Sequence, residues 1–291
     1  MDKQKIIASI IIPTIASRFE YLKECLKSIK KQEVNFGFET IIVIGGKADI
    51  KTYENIINSD NTLILNSEPG LSKQRNCGVK SANGEIMVFI DDDVKADKYW
   101  LSNLIKKYDP QVGIVGGRVE PLLEENLPGW MEGHELLLGG FNSIQERKIK
   151  TGSIIGCNFS VRKEVLEECG LFDEKLGRGS KFFTAGEENV LIRKIKEKYK
   201  VVYSHEALAY HFIQKERISQ EYINSRAYEN GKIMAFMDKD KLKYCLKIIK
   251  YILSLPYLYI RFLITRDIFI SIKIKTQKGY ISLMKRNAGL K

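Results

Sequence analysis

The sequence predicts an α/β domain, in which helices cover both faces of a parallel sheet, followed by a basic helical extension. Apolar, β-branched runs alternate with helical patterns through the first half of the chain, an order typical of parallel sheets. Charge is unevenly divided, since residues 241–291 carry 12 Lys and Arg and one acid, whereas residues 1–240 carry 35 of each sign. We therefore expect a neutral domain over residues 1–240 and a basic segment over residues 241–291.

Each strand of the predicted sheet is a short run of β-branched and aromatic residues. These runs cover residues 6–12, 40–44, 62–65, 86–90, 112–117, 154–161, 201–203 and 208–212. Helices are predicted where apolar residues recur at helical spacing. They cover residues 18–31, 50–58, 70–82, 163–169, 187–199 and 218–237. A further helix, capped by Asp97, is expected to include Trp100. The irregular residues 120–150 predict a long functional loop or lid.

The composition indicates a globular protein of a reducing compartment, the cytosol. Of the 291 residues, 44% are hydrophobic and 6 are proline, as in proteins that bury a core. The five cysteines form no C-x-x-C pair, which argues against a disulfide framework or a zinc site. The apolar residues 6–15 include Pro13 and are β-branched, so they predict a first strand rather than a signal peptide.

Three aspartates, Asp91, Asp92 and Asp93, follow the apolar run at residues 86–90. Like charges repel and are costly to bury without a counter-charge. Alternate side chains of an extended chain share a face, which predicts Asp91 and Asp93 together and a structural Asp92 facing the other way. Two carboxylates suit Mg²⁺ or Mn²⁺, and the carboxyl end of a strand is where α/β sheets bind ligands. A turn followed by a helix cap is the alternative.

Other polar residues lie at comparable positions. Glu187 and Glu188 begin a predicted helix, where the helix dipole alone favours acids but where one carboxylate could also act as a general base. His211 lies near the end of a strand, either as a core residue or as a ligand of metal or phosphate. Arg75 lies near a helix start, which favours phosphate or base oxygens. The absence of a Walker A loop and of GxGxxG argues against P-loop and dinucleotide sites.

Together these segments resemble the glycosyltransferase family 2 catalytic domain, which has the GT-A fold. The matches are collinear over about residues 6–236. They are S-I-I-I-P-T at 9–14, L-K-S-I-K-K-Q at 26–32, S-K-Q-R-N-C-G at 72–78, F-I-D-D-D at 89–93, G-C-N-F-S-V-R at 156–162, G-L-F-D at 170–173, G-E-E at 186–188 and His211. The resemblance implies a Rossmann-like, mostly parallel mixed sheet flanked by helices.

The resemblance also implies a nucleotide-sugar donor and a Mn²⁺ or Mg²⁺ cofactor. The implied metal ligands are Asp91, Asp93 and His211. The implied nucleotide-sugar contacts are Pro13, Thr14, Arg75, Asp91, Asp92 and Asn158. The implied catalytic base is Glu188 or Glu187, and we favour Glu188. The family usually has Asp at the second of these positions, so the glutamate here keeps the carboxylate and adds a methylene.

One departure from the family concerns the nucleobase. Many members carry Asp-Gly-Ser after the second strand, and this Asp reads uracil. Here Gly45 occupies that position. Recognition of the donor base must then differ from that in these members, or it must use Glu68 or Lys47. UDP is the default expectation for the donor nucleotide.

The reaction that the resemblance implies is an inverting transfer of a sugar to an acceptor hydroxyl, in the assembly of a cell-surface polysaccharide or glycolipid. A nucleotidyltransferase of related fold is one alternative, and the absence of a Gly-rich basic loop after the first strand argues against it. A catalytically silent, membrane-associated assembly partner is another alternative, and the intact acidic motifs argue against it.

Residues 241–291 interleave apolar and basic residues and predict amphipathic helices. No run reaches the ~18 uncharged residues of a membrane span, so we expect a helix pair on the inner, anionic membrane surface and a lipid-linked acceptor. Packing of these helices on the domain, or on a second subunit in a homo-oligomer, is the alternative. Nucleic-acid binding is not expected, because the domain is neutral and lacks a binding motif.

Overall fold

Within the residues that the computed structural model describes, eight strands form one mixed sheet in the order β3-β2-β1-β4-β7-β6-β8-β5. The described residues are 5–47, 50–54, 61–124, 126–131, 154–181, 185–238 and 240–287. The strands are β1 Ile6–Thr14, β2 Gly37–Gly45, β3 Thr62–Ser67, β4 Ile86–Ile90, β5 Val94–Ala96, β6 Val112–Leu123, β7 Asn158–Arg162 and β8 Lys200–Ile213.

Helices flank this sheet and extend beyond it at the carboxyl end of the chain. They are α1 Phe19–Ile29, α2 Ile50–Glu54, α3 Leu71–Ser81, α4 Trp100–Ile105, α5 Lys163–Cys169, α6 Glu187–Ile195, α7 Gln220–Met237, α8 Lys241–Thr265 and α9 Ile268–Asn287. Short 3₁₀ turns cover Ala16–Arg18, Gly129–Met131 and Lys215–Ile218.

Both faces of the central strands β1 and β4 are buried, which explains why these strands are mostly apolar rather than alternating. In β1, Ile10 and Ile12 belong to the core cluster on one face, whereas Ile11 belongs to the cluster on the other. In β4, Val88 and Phe89 divide in the same way. The carboxyl ends of β1 and β4 therefore lie between two packed layers, which fixes the position of the residues that follow them.

The mixed sheet flanked by helices that the family resemblance implies is confirmed, whereas the wholly parallel sheet predicted from the alternation of strands and helices is not. The pairs β1–β2, β2–β3, β1–β4 and β6–β8 are parallel. The pairs β4–β7, β6–β7 and β5–β8 are antiparallel, so the sheet is mixed rather than parallel throughout. Alternation of strands and helices predicts parallel pairing for consecutive strands that a helix joins, whereas β5, α4 and β6 lie between β4 and β7 in the sequence.

Several element boundaries also differ from the prediction. The two strands predicted at 201–203 and 208–212 are one strand, β8, whose register against β6 shifts at Gly117 and Arg118. The strand predicted to begin at Ile154 begins at Asn158. Asp97 accepts a hydrogen bond from the Tyr99 amide at 3.1 Å, but Tyr99 is the residue that caps α4. The lid predicted at residues 120–150 lies mostly outside the described residues.

Three long helices complete the chain after the sheet. In α7 and α9, Gly231 and Gly279 allow backbone contact, because a Cβ on Gly279 would lie 1.9 Å from the Tyr228 carbonyl oxygen. A Cβ on Gly231 would lie 2.0 Å from the Thr276 oxygen. Helix α8 packs on α9 through Leu258 and its neighbours. Helix α9 therefore lies between α7 and α8 and joins the tail to the domain.

Helix α8 exposes apolar side chains over much of its surface. Leu246 is 57% exposed, Leu253 74% and Ile264 77%. By length and composition alone, Leu242–Thr265 could cross a membrane, and 11% of its most apolar window is buried. This finding corrects the expectation that the tail contains no helix long enough to span a membrane. The expectation required an uninterrupted run of uncharged residues, whereas a membrane-spanning helix tolerates a few charges.

Candidate active site

A cavity of about 370 Å³ lies at the carboxyl end of β4. Its lining brings together Asp91, Glu187, Glu188 and His211, which come from three separate stretches of the sequence. These four predicted residues therefore meet in one place. Its lining also includes Arg75 from α3, Arg217 from the turn before α7, and the α7 residues Tyr222, Arg226 and Asn230.

The three aspartates form a turn rather than an extended strand end. The amide of Val94 donates to the Asp91 carbonyl oxygen at 3.2 Å, so the alternation of faces ends at Ile90. The Asp91 side chain is 28% exposed and lines the cavity. Asp92 and Asp93 are buried and lie outside the lining. The turn thus separates Asp91 from Asp93, which the extended chain predicted on one face.

Asp92 is held inside the protein by the first strand and the turn that follows it. Its carboxylate accepts from the Thr14 hydroxyl at 2.7 Å and pairs with Arg18 at 3.1 Å. Burial raises the pKa of Asp92 to about 7, although the charge of Arg18 opposes this shift. These contacts engage Asp92 with protein groups, so both its structural role and its implied contact with the nucleotide sugar stay predictions. Thr14, predicted to line the nucleotide pocket, directs its hydroxyl to this carboxylate, and its neighbour Pro13 is buried opposite Val43 of β2.

Asp93 is surrounded by cationic groups. Its Oδ2 accepts from Arg18, from Arg217 at 3.0 Å, and lies 3.4 Å from His211 Nε2. Burial alone would raise the pKa of Asp93, but the hydrogen bond and charge of His211, with the charges of Arg18 and Arg217, hold it well below its usual range. His211 lies in β8 opposite Val94, so strand pairing places the imidazole beside the aspartate turn.

Arg75 is a buried connector between the aspartate turn and the start of α6. Its side chain is 1% exposed, with Nη1 2.8 Å from Glu187 and Nη2 3.2 Å from Asp91. Nη2 also donates to the Gly156 carbonyl at 2.6 Å, and the guanidinium lies over three aromatic rings, of which Phe172 is closest at 5.5 Å. These bonds engage Arg75 with protein groups, so its predicted contact with phosphate or base stays a prediction.

Glu187 and Glu188 begin α6 after Gly186, whose φ of +86° is rarely adopted by other residues. Arg75 compensates the charge of Glu187. Burial and the neighbouring charge of Glu187 raise the pKa of Glu188 to about 8, although Arg75 opposes the shift. The Asn189 amide donates to Glu188 Oε1 at 3.1 Å. The two glutamates therefore differ chemically, one ion-paired and one poised to exchange a proton near neutral pH.

Asn158 begins β7, and its side-chain amide is engaged on both sides. Its Oδ1 accepts from Trp100 at 2.8 Å. Its Nδ2 donates to the carbonyls of Arg118 at 2.8 Å and Ala207 at 3.0 Å. The amide thus joins neighbouring strands to α4. Its predicted role in binding the nucleotide sugar stays a prediction, and the bonds seen are those of a structural residue.

Gly45, where the family's uracil-reading aspartate would lie, ends β2 against the side chain of Gln74. A Cβ on Gly45 would lie 2.9 Å from Gln74 Oε1. Gln74 Nε2 donates to the carbonyls of Thr14 at 2.7 Å and Val43 at 2.8 Å, which fixes the direction of its amide. Glu68, one suggested substitute, is exposed and pairs with Lys73. Gln74 was not predicted as a site residue from the sequence.

The arginines that surround the acids were not predicted from the sequence either. Arg18 follows β1 and bridges Asp92 and Asp93, and Arg217 joins Asp93 to His211. The signal available was the cluster of aspartates itself, because buried like charges require cations nearby. Nothing in the local sequence distinguishes these arginines from the many solvated cations of the chain.

Solved structures of similar fold include a mannosyltransferase, PcManGT, from Pyrobaculum calidifontis, in complex with GDP-Man and Mn²⁺. The TM-score is 0.56 at 15% identity, covering 80% of this chain and 66% of that one. TarS 1–349 from S. aureus, in complex with UDP-GlcNAc, gives 0.55 at 16% identity, covering 98% and 93%. In the longer TarS structure the matched part is 42% of that chain. These likenesses show that the chain has the GT-A fold.

The family model of glycosyl transferase family 2 matches residues 9–170, more than half of the chain. The chain therefore belongs to glycosyl transferase family 2 and is a glycosyltransferase. A relative from Haloferax volcanii, the glucosyl-dolichyl phosphate glucuronosyltransferase, is 26% identical over 79% of this chain and 77% of its own length. Glycosyltransferase AglE of the same organism is 23% identical over 70% of this chain and 66% of its own length.

Proposed function

We propose that the protein catalyses the metal-dependent, inverting transfer of a sugar from a nucleotide sugar to an acceptor hydroxyl. The observation that carries this proposal is the convergence of Asp91, Glu188 and His211 on one cavity at the carboxyl end of β4. A carboxylate that can accept a proton and groups that can hold a diphosphate are the two requirements of such a displacement.

Glu188 is the proposed general base. It removes the proton of the acceptor hydroxyl while that oxygen attacks the anomeric carbon, and the bond from this carbon to the diphosphate oxygen breaks on the opposite side. A pKa of about 8 makes Glu188 a stronger base than an exposed carboxylate, and a base near the working pH is the most effective. Glu187 instead anchors the start of α6 through Arg75.

Negative charge that develops on the leaving diphosphate requires cationic groups. Arg217 lines the cavity and lies 2.9 Å from His211 Nε2. These two residues extend from the Asp93 cluster toward the cavity. We assign Arg217 to the diphosphate, where a fixed charge stabilises the transition state without reorganisation, and His211 is its hydrogen-bonding neighbour.

We propose that a divalent cation binds beside the aspartate turn. Among the described residues no group of three or more His, Cys, Asp or Glu side chains is arranged as a metal site. However, Asp93 Oδ1 and His211 Nδ1 are buried without a hydrogen-bond partner, an arrangement that costs free energy unless something binds there. Asp91, Asp93 and His211 are the residues that would hold Mn²⁺ or Mg²⁺. When bound, the cation would neutralise charge on the diphosphate.

The donor base is proposed to lie near Gly45, at the carboxyl ends of β1 and β2. There Gln74 Oε1 is the polar atom nearest the space that a side chain would occupy. An amide oxygen accepts hydrogen bonds only, so it favours a base with an imino N–H, such as uracil or guanine. UDP is our default donor nucleotide, and GDP is the alternative that the same oxygen accommodates.

Nucleotide release tests this function. The full chain is incubated with UDP-, GDP- and dTDP-sugars and Mn²⁺, and free nucleotide is measured with and without chelator. We expect release from at least one donor, lost on chelation and in Asp93→Ala. No release from any donor, or release that Asp93→Ala leaves unchanged, would refute the proposal. Lys98→Ala, which changes an exposed ion pair with Glu33, serves as the control.

We further infer that the chain acts at an anionic membrane surface, on a lipid-linked acceptor. Helix α8 exposes Leu246 and Leu253, and residues 241–291 carry 12 basic residues against one acid, a combination typical of membrane-surface helices. The relative named for glucosyl-dolichyl phosphate acts on a lipid-linked sugar by its name. This supports peripheral attachment at the cytoplasmic face.

Vesicle flotation tests the membrane proposal. Full-length protein is mixed with phosphatidylcholine vesicles with and without phosphatidylglycerol, and the Leu246→Glu/Leu253→Glu variant is compared. We expect salt-sensitive binding to the anionic vesicles that the variant loses. Equal flotation of both proteins, or none with wild type, would contradict the proposal. A dimer that the same variant dissociates would instead assign this face to a second subunit.

A further inference from the structure

The two oxygens of the Asp93 carboxylate have different surroundings. Oδ2 accepts hydrogen bonds from Arg18 and from Arg217, the latter at 3.0 Å, and lies 3.4 Å from His211 Nε2. Oδ1 is buried and has no hydrogen-bond partner among the described residues. Two guanidinium groups and an imidazole therefore surround one oxygen, while the other is left for a ligand.

Arg18 is held beside the aspartates and away from the cavity. It ends the 3₁₀ turn Ala16–Arg18 that follows β1, and its Nη1 lies 3.1 Å from Asp92 while its Nη2 pairs with Asp93. Its guanidinium lies 5.5 Å from the centre of the Tyr21 ring. Arg18 is not among the residues that line the cavity. Its charge therefore acts on the aspartates rather than on a substrate in the cavity.

Each aspartate of the turn is paired with an arginine. The pairs are Asp91 with Arg75 at 3.2 Å, Asp92 with Arg18 at 3.1 Å and Asp93 with Arg217 at 3.0 Å. A divalent cation that arrives alone meets carboxylates whose charge is compensated, and guanidinium groups that repel it. A diphosphate changes this balance, because it brings negative charge together with oxygen ligands that suit Mg²⁺ and Mn²⁺.

From these contacts we infer that Arg18 is a positioning residue that opposes binding of a bare divalent cation at the aspartate turn, so that the cation binds tightly only together with the diphosphate of the donor. This inference rests on the proposed metal-dependent transfer. Arg18 acts through Asp93, because a guanidinium bonded to Oδ2 weakens the attraction of the same carboxylate for a cation at Oδ1. Arg217 differs from Arg18 because it lines the cavity, where a diphosphate would compete with Asp93 for it.

Equilibrium dialysis of Mn²⁺ tests the inference without requiring turnover. The full chain is dialysed against Mn²⁺ alone and against Mn²⁺ with UDP or GDP, and the excess of Mn²⁺ in the protein chamber gives the Kd. Complexes of Mn²⁺ with free nucleotide form equally on both sides of the dialysis membrane and cancel. The variants are Arg18→Gln, which removes the charge, and Arg18→Lys, which keeps it. Thermal melts verify that each variant is folded.

Arg162→Gln is the matched control. The Arg162 side chain is 22% exposed against 19% for Arg18, and it also lies over a tyrosine ring, that of Tyr108 at 5.2 Å. Its Nη2 donates to the Asp109 carbonyl at 2.7 Å, and it does not line the cavity. A change in Mn²⁺ affinity that occurs in Arg18→Gln but not in this control is therefore due to the charge at the aspartate turn.

For wild type we expect the Kd for Mn²⁺ to fall at least ~10-fold when UDP or GDP is present. For Mn²⁺ alone, we expect Arg18→Gln to bind at least ~10-fold more tightly than wild type. Arg18→Lys and Arg162→Gln are expected to bind Mn²⁺ alone as wild type does. A gain of affinity distinguishes this role from a merely structural one, because loss of structure would weaken binding.

Wild type that binds Mn²⁺ alone as tightly as it does with nucleotide would overturn the inference, as would unchanged Mn²⁺ affinity in folded Arg18→Gln. The wild-type comparison decides the question if Arg18→Gln does not fold. Absence of Mn²⁺ binding to wild type even with both nucleotides would instead refute the metal dependence of the proposed function, and the inference with it.

Discussion

Removal of Arg75 is expected to destabilise the protein strongly, because it leaves two carboxylates without their cation. The guanidinium is 1% exposed and joins Glu187 at 2.8 Å to Asp91 at 3.2 Å. Breaking a buried pair by removing one partner costs about 3–5 kcal/mol. Domains of ordinary stability unfold at a cost of about 5–15 kcal/mol, so Arg75→Met would lose a large part of the total.

The origin of this loss is testable in a double-mutant cycle. Urea denaturation at neutral pH would be measured for wild type, Arg75→Met, Glu187→Gln and the double variant. If the uncompensated charge of Glu187 is the cause, Glu187→Gln restores stability in the Arg75→Met background but destabilises the wild type. Arg75→Lys, which keeps the charge and loses the paired geometry, is expected to lie between. Additive losses, or an Arg75→Met loss below ~1 kcal/mol, would refute this reasoning.

Further outcomes follow from the same structure. Because the base must be deprotonated, kcat/KM should rise with pH and level off above a pKa of about 8. Glu188→Gln should lower kcat/KM at least ~100-fold. Donor affinity, measured by titration calorimetry, should stay unchanged in this variant. A pH profile that is flat from 6 to 9 would exclude this base. Gly279→Ala, whose Cβ would lie 1.9 Å from the Tyr228 oxygen, should lower the free energy of unfolding by about 1–3 kcal/mol. Gly129→Ala, with no atom within 4 Å, should match wild type in the same denaturation assay. Asn158→Ala should cost roughly 1–3 kcal/mol of stability without changing nucleotide affinity, and a selective loss of affinity would assign Asn158 to the ligand.

Much of the fold could be predicted from the chain alone because burial leaves a local signature. The run before Asp91 is apolar at every position, since both faces of β4 are covered. Helices such as α5 were predicted at their observed bounds, Lys163–Cys169. Strand directions were predicted less well, because pairing depends on which segments meet, and the β7 pairings are long-range contacts.

Part of the candidate site could likewise be predicted from the sequence, and part could not. The acids and His211 stand out in the sequence because they lie next to predicted strands and helices, where buried charges are costly without a counter-charge or a ligand. Their partners do not stand out, since Arg18 and Arg217 lie in ordinary polar sequence and acquire their roles only beside Asp93. Gln74 does not stand out in the sequence either, because its proposed role in base recognition depends on the absence of a side chain at Gly45.

The sequence by itself determined the α/β class, the basic tail and the residue types of the site, because composition and periodicity are local properties. The tertiary structure decided how the three aspartates differ. A turn at Asp91 leaves that carboxylate in the cavity and buries Asp92 and Asp93 among arginines. It also decided that Arg18 and Arg217 meet at one oxygen of Asp93. Both outcomes depend on contacts between residues distant in the chain, which spacing along the sequence does not encode.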